Sequence, residues 1–183
     1  MTLTGSPVGG TFSGSGISGN NFDPSSVGVG NYDITYIYTN GNFCTDSIVK
    51  SVQVNALPTV TAPANQTVCS GTNVTLNGGG ASTYAWNNGV SNGVAFPANT
   101  TTTYTVTGTD ANGCVNTATK SITVNSLPTI TATSTPASGA ICIGSNATLN
   151  GGGATSYTWS GGVTNGTAFA PTTTTTYTVT GTD

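Results

Sequence analysis

Residues 99–110 read NTTTTYTVTGTD, and threonine there alternates with larger apolar side chains. Tyr104 and Val106 fall on one side of an extended chain and Thr103, Thr105 and Thr107 on the other, the period of two that marks a strand with one buried face. Residues 172–183 repeat the stretch almost unchanged and place Tyr177 and Val179 at the same positions. The first copy runs on into Ala111-Asn112-Gly113-Cys114, where Asn-Gly supplies the positive φ angles of a tight hairpin turn. A strand followed by a hairpin, returning in units of about 70 residues, is the organising element.

The repeat extends well beyond that strand. Residues 69–110 align with 142–183 without a gap, with identity at roughly two thirds of positions. Thr75-Leu76-Asn77-Gly78-Gly79-Gly80-Ala81, Tyr84, Trp86, Asn92-Gly93 and Phe96 all recur, and the tryptophan's counterpart is Trp159. A more distant first unit carries Asn42-Phe43-Cys44 and then Lys50-Ser51-Val52-Gln53-Val54, parallel to Asn112-Gly113-Cys114 and Lys120-Ser121-Ile122-Thr123-Val124. Leu57-Pro58 and Leu127-Pro128 each stand between two alternating stretches, and proline cannot donate to a ladder, so the chain is expected to change domain there. The boundaries follow: 1–56, a repeat without its opening strand; 57–126, complete; and 127–183, without its closing strand.

Turn clusters such as Gly78-Gly79-Gly80, Asn87-Asn88-Gly89 and Pro97-Ala98-Asn99 separate short strands, and no window shows helical periodicity. The expectation is an all-β chain of tandem small antiparallel immunoglobulin-like β-sandwich domains. Junctions this short predict an elongated, semi-rigid rod.

Composition narrows the chemistry. Charged residues are 4% of the 183, namely five aspartates with Lys50 and Lys120, and there is no histidine. Two isolated lysines do not neutralise a phosphate backbone, so nucleic acid is not an expected partner. No apolar run approaches the roughly 20 residues that span a bilayer. Met1 is followed by neither a basic nor an apolar signal region, and the chain is read as a fragment or a mature segment. Without histidine or a recurrent carboxylate pair, neither a triad nor general acid–base work has its parts, so no enzyme activity and no cofactor is expected.

The remaining candidates are few. Cys69 and Cys114 lie near the two ends of the complete unit, and a disulfide between them is predicted to stabilise it by about 3 to 4 kcal/mol, which implies an oxidising, extracellular setting. Cys44 is the counterpart of Cys114 and Cys142 of Cys69, so the repeat logic puts both of their mates outside residues 1–183, and the alternative is that the two meet between successive chains. Trp86 and Trp159 suit a core position over the disulfide better than an exposed platform for sugar rings, and Tyr104 and Tyr177 belong to the same core. Asp110 with Asn112 is better explained as turn chemistry than as calcium ligands, and Lys50 and Lys120 lack the nearby carboxylate that an isopeptide crosslink needs. Strand exchange at the two incomplete outer units is a further reading.

The run Tyr-Thr-Val-Thr-Gly-Thr-Asp-Ala-Asn-Gly-Cys (residues 104–114), then Ile122-Thr123-Val124-Asn125-Ser126-Leu127-Pro128, with Tyr84-Ala85-Trp86 after a glycine-rich turn, resembles the tandem immunoglobulin-like or PKD-like repeats of very large secreted surface proteins of Bacteroidota. Residues 7–16 and Phe22-Asp23-Pro24 are similar to a sister repeat class of those proteins. The resemblance implies type IX secretion and a stalk, adhesin or filament role at the cell surface, with neighbouring repeats, further copies in a fibre and surface glycans as partners. It makes Ser47, in Asp46-Ser47-Ile48, a candidate O-glycosylation acceptor. The Trp-Asp-Phe-Gly-Asp-Gly hallmark of PKD domains is missing, so their ligand properties do not carry over. The leading expectation is a mechanical spacer of cross-linked β units; the rival is a carbohydrate-binding accessory module of a secreted enzyme.

Overall fold

The computed structural model describes residues 1–183, and the chain is all-β with no α-helix. Residues 1–56 form β1 (Thr11–Ser13), β2 (Ile17–Ser18), β3 (Asn21–Phe22), β4 (Gly30–Thr39) and β5 (Thr45–Val54). The middle stretch forms β6 (Gln66–Cys69), β7 (Thr72–Thr75), β8 (Thr83–Trp86), β9 (Ala95–Ala98), β10 (Thr102–Thr109) and β11 (Val115–Asn125). The last forms β12 (Thr131–Thr135), β13 (Ala147–Gly152), β14 (Ser156–Trp159), β15 (Ala168–Phe169) and β16 (Val179–Thr182). They assemble into small sheets with the orders β1-β4-β5, β6-β11-β10-β8 and β12-β13-β15, and the pairs β14-β16, β2-β3 and β7-β9. Two compact units result, one of residues 1–66, 73–96 and 102–122, the other of 67–72, 97–101 and 123–183.

In the first unit the alternation of β10 is realised as written: Tyr104 is 8% exposed and Val106 fully buried, with threonines on the other face. Antiparallel pairing sets Tyr104 opposite Lys120 and Val106 between Ala118 on β11 and Trp86 on β8. Leu76, Ile122 and Val74 complete that core, while Phe22, Ile34 and Tyr36 form the one under β4. The hairpin from β10 to β11 is held by Asp110, whose Oδ1 accepts the N–H groups of Asn112 at 2.8 Å and Cys114 at 2.9 Å. Asn40 does the same between β4 and β5, accepting from Asn42 at 2.9 Å and Cys44 at 3.0 Å. A neutral amide therefore serves as well as the carboxylate, and Asp110 is turn chemistry.

The triple glycine has a separate reason at its first and third positions, and both copies share them. A Cβ on Gly78 or Gly151 would stand 2.5 Å from a ring carbon of Tyr84 or Tyr157. Gly80 and Gly153 have φ of +82° and +88°, and a Cβ there would come within 2 Å of the carbonyl oxygen of Thr59 or Thr129. Pro97, expected in a turn, instead lies inside β9, the partner of β7 in a two-stranded sheet whose free edge tolerates a missing N–H.

In the second unit the chain pairs differently after Leu127-Pro128. β12 stays with β13 from Thr131 opposite Gly152 to Thr135 opposite Thr148, whereas its counterpart Thr61 makes a single bridge to Gly79 before the chain leaves for β6. β6 has β11 to pair with; residues 140–143 have no such neighbour and form no strand.

Candidate functional site

The residues that recur between the two closest copies converge on one hydrogen-bonded aromatic cluster. Trp86, at the end of β8, is 7% exposed, and Trp159, at the end of β14, is 5% exposed. A buried indole N–H requires an acceptor. Asn92 Oδ1 accepts it at 3.0 Å and also accepts the Gly78 N–H at 2.7 Å; Asn165 Oδ1 accepts from Trp159 at 2.9 Å and from Gly151 at 2.6 Å. One amide oxygen thus ties the tryptophan strand to the glycine turn. Two residues before each tryptophan, the Tyr84 hydroxyl donates to the Ala81 carbonyl at 2.5 Å and accepts from the Ala81 N–H at 2.8 Å, and Tyr157 repeats this on Ala154 at the same distances. Phe96 meets Tyr104 edge-on at 5.5 Å between centroids, and Phe169 meets Tyr177 at 5.3 Å. Asn92 and Asn165 were visible only as a recurrent Asn-Gly, which reads as a turn; that the amide faces inward is a tertiary fact.

Tyr177 is the exception among the four core aromatics. It is half-buried where Tyr104 is buried, because β10 has β11 beside it and β16 has no strand on that side.

The predicted disulfide is not formed: Cys44, Cys69, Cys114 and Cys142 are all free thiols. Strand direction is the cause. β6 lies along the C-terminal half of β11 and runs the same way, with Asn65 Oδ1 accepting from Ser121 N, Lys120 Nζ donating to Gln66 and Ser70 N donating to Asn125 O. Cys69, last in β6, is therefore at the far end of β11 from Cys114, which immediately precedes its first residue. At about 3.3 Å per residue the two are separated by on the order of 30 Å of strand, far beyond the ~7 Å Cα separation that a disulfide tolerates. The cross-link and the oxidising setting inferred from it lose that support. Cys44 and Cys142 are exposed.

Lys120 is the one buried charged residue, 3% exposed. Its Nζ donates to Gln66 Oε1 at 2.6 Å, and burial lowers its pKa from the ordinary lysine value. Lys50, its counterpart on β5, is exposed. Ser47 is exposed on β5 opposite Ile37, and its N–H donates to Asp46 Oδ1 at 2.8 Å.

The chain matches no protein-family model and no curated protein.

Proposed function

We propose that this chain is a structural repeat segment of an extracellular cell-surface fibre or adhesin, built from tandem immunoglobulin-like β-sandwich units and without catalytic activity. The observation that carries the reading is the duplicated aromatic cluster: the recurrent Tyr, Trp, Asn and Gly residues bond to one another, so the parts that repeat are those that hold a fold. A repeat kept for a ligand would present its recurrent aromatics to solvent, and the burial of Trp86 and Trp159 weighs against the rival sugar-binding platform. The cross-link expected in each unit drops out of the reading. Its place is taken by the hydrogen-bonded cluster and by β11, which closes the middle repeat between β6 and β10. With charge this sparse, the surface is suited to an array of neighbours rather than to a free monomer.

Electron micrographs of the native assembly should show filaments with a constant axial spacing set by the repeat. Compact particles with no axial repeat would reject the spacer, and specific retention on a glycan array would return the rival.

A further inference from the structure

Asparagine followed by glycine is a reactive pair: with no Cβ on the glycine, its backbone nitrogen can reach the carbonyl carbon of the asparagine side chain. The chain holds seven such pairs, alike in sequence but not in the fold. In five of them the glycine N–H is already donated. Gly78 donates to Asn92 Oδ1 at 2.7 Å and Gly151 to Asn165 Oδ1 at 2.6 Å, while Gly93 donates to Leu76 O at 2.8 Å, Gly113 to Asp110 O at 3.2 Å and Gly166 to Leu149 O at 2.8 Å. A nitrogen held in that way attacks only after its turn has opened. The sixth pair is Asn40-Gly41, and there the side chain is tied down, Asn40 Oδ1 accepting from both Asn42 and Cys44. Asn88-Gly89 is the exception. Asn88 is exposed, its amide makes no hydrogen bond, and the Gly89 N–H is donated to nothing in the chain. The backbone of Asn88 is left-handed, with φ of +57°, in a turn that the Val90 N–H closes on Asn87 O at a long 3.4 Å.

We propose that Asn88 is a modification site, the one asparagine of the folded chain placed to deamidate spontaneously. The Gly89 nitrogen gives up its proton to solvent and bonds to Asn88 Cγ, the Cγ–Nδ2 bond breaks, and ammonia leaves a five-membered succinimide. Water then opens the ring at either carbonyl, giving aspartate or isoaspartate. One water enters and one ammonia departs, with no change of oxidation state. Each event replaces a neutral amide by a carboxylate and takes the formal net charge from −3 to −4. Isoaspartate also routes the backbone through the side-chain carbon and lengthens it by one atom. Asn87 next to it is fastened to β10, its N–H donating to Thr105 O at 3.1 Å and its Oδ1 accepting from Thr105 N at 3.0 Å, so the extra atom is taken up in the turn and not in the sheet. In the last copy Gly161, with φ of +69°, and Gly162 occupy these two positions, so the modification marks the middle repeat and not its closest copy. This inference stands apart from the spacer reading and survives its failure.

The test ages the full chain in mildly alkaline buffer, resolves it by anion exchange and locates the new acid by peptide mass spectrometry. A species more acidic by one charge should accumulate, with aspartate and isoaspartate at residue 88 at least about tenfold ahead of every other Asn-Gly pair. In concentrated urea the seven pairs should react at similar rates, since glycine follows the asparagine in each. Asn88→Gly, which installs the residue found in the last copy, should fold as before and yield no early acidic species. A reaction led by any other pair would overturn the proposal, and so would a native chain that stays unmodified while the urea-unfolded chain is converted. A lead of Asn88 that survives urea would overturn it too, by making the preference a property of local sequence, as would an Asn88→Gly chain that acidifies at the wild-type rate.

Discussion

Asn92 and Asn165 each hold two donors, an indole N–H and a backbone N–H, with a single oxygen. Truncating Asn92 leaves the part-buried indole N–H without its acceptor, a loss of about 1–3 kcal/mol, while the exposed Gly78 N–H can turn to water. Asn92→Ala should therefore lower the stability of the middle repeat by about 1–3 kcal/mol in a urea melt, whereas Asn92→Asp, which keeps an oxygen in place, should cost less than half of that. If alanine and aspartate cost the same, the acceptor role is wrong. Phe43 shows the converse, a residue at odds with its backbone: it has φ of +64° where Gly113 has +81°, and it is 91% exposed. Its turn copies that of Asp110 through Asn40, so the hydrogen bonds, and not the residue at the left-handed position, define the hairpin.

At the scale of the element, β11 and β5 show how one pattern meets two fates. β5 is an edge strand exposed over most of its length, with Ile48 and Val49 open to solvent, while β11 is covered on both edges and buries Lys120 and Ile122. The two lysines consequently differ. A base whose pKa is lowered on folding binds fewer protons in the native than in the unfolded state between the two values, so stability rises with pH across that interval. The cost of burying the Lys120 ammonium is fully present below its folded pKa and is relieved as pH climbs through that pKa toward the unfolded value near 10.5. The readout is a difference between variants, which cancels what the rest of the chain contributes. Relative to Lys120→Met, the wild-type chain should gain stability as pH rises toward 10.5. A flat difference for Lys120→Met would mean that the ammonium is solvated.

For the whole molecule, the four free cysteines decide what does and does not hold the chain together. Thiol titration of the denatured protein should count four thiols per chain, and melting should be unchanged by reductant. A two-thiol count with a reductant-sensitive melt would restore the cross-link. Much of the architecture was legible beforehand. The alternation over residues 99–110, the placement of Trp86 and Trp159 in a core and the turn role of Asp110 all came from local pattern. Pro97 and the disulfide did not, because each depends on which strand lies next to which, and neighbours distant in sequence leave no mark on local composition.

The sequence by itself determined that the chain is all-β, that it repeats, and which face of each strand is apolar, since strand alternation and glycine turns are set by steric rules acting over a few residues. Only the tertiary structure decided that β6 runs parallel to β11 and that the cysteines at their ends stay apart. The physical reason is that a strand's edge hydrogen bonds are non-specific: any extended chain satisfies them, so the partner is chosen by packing of the whole unit and not by the strand's own residues.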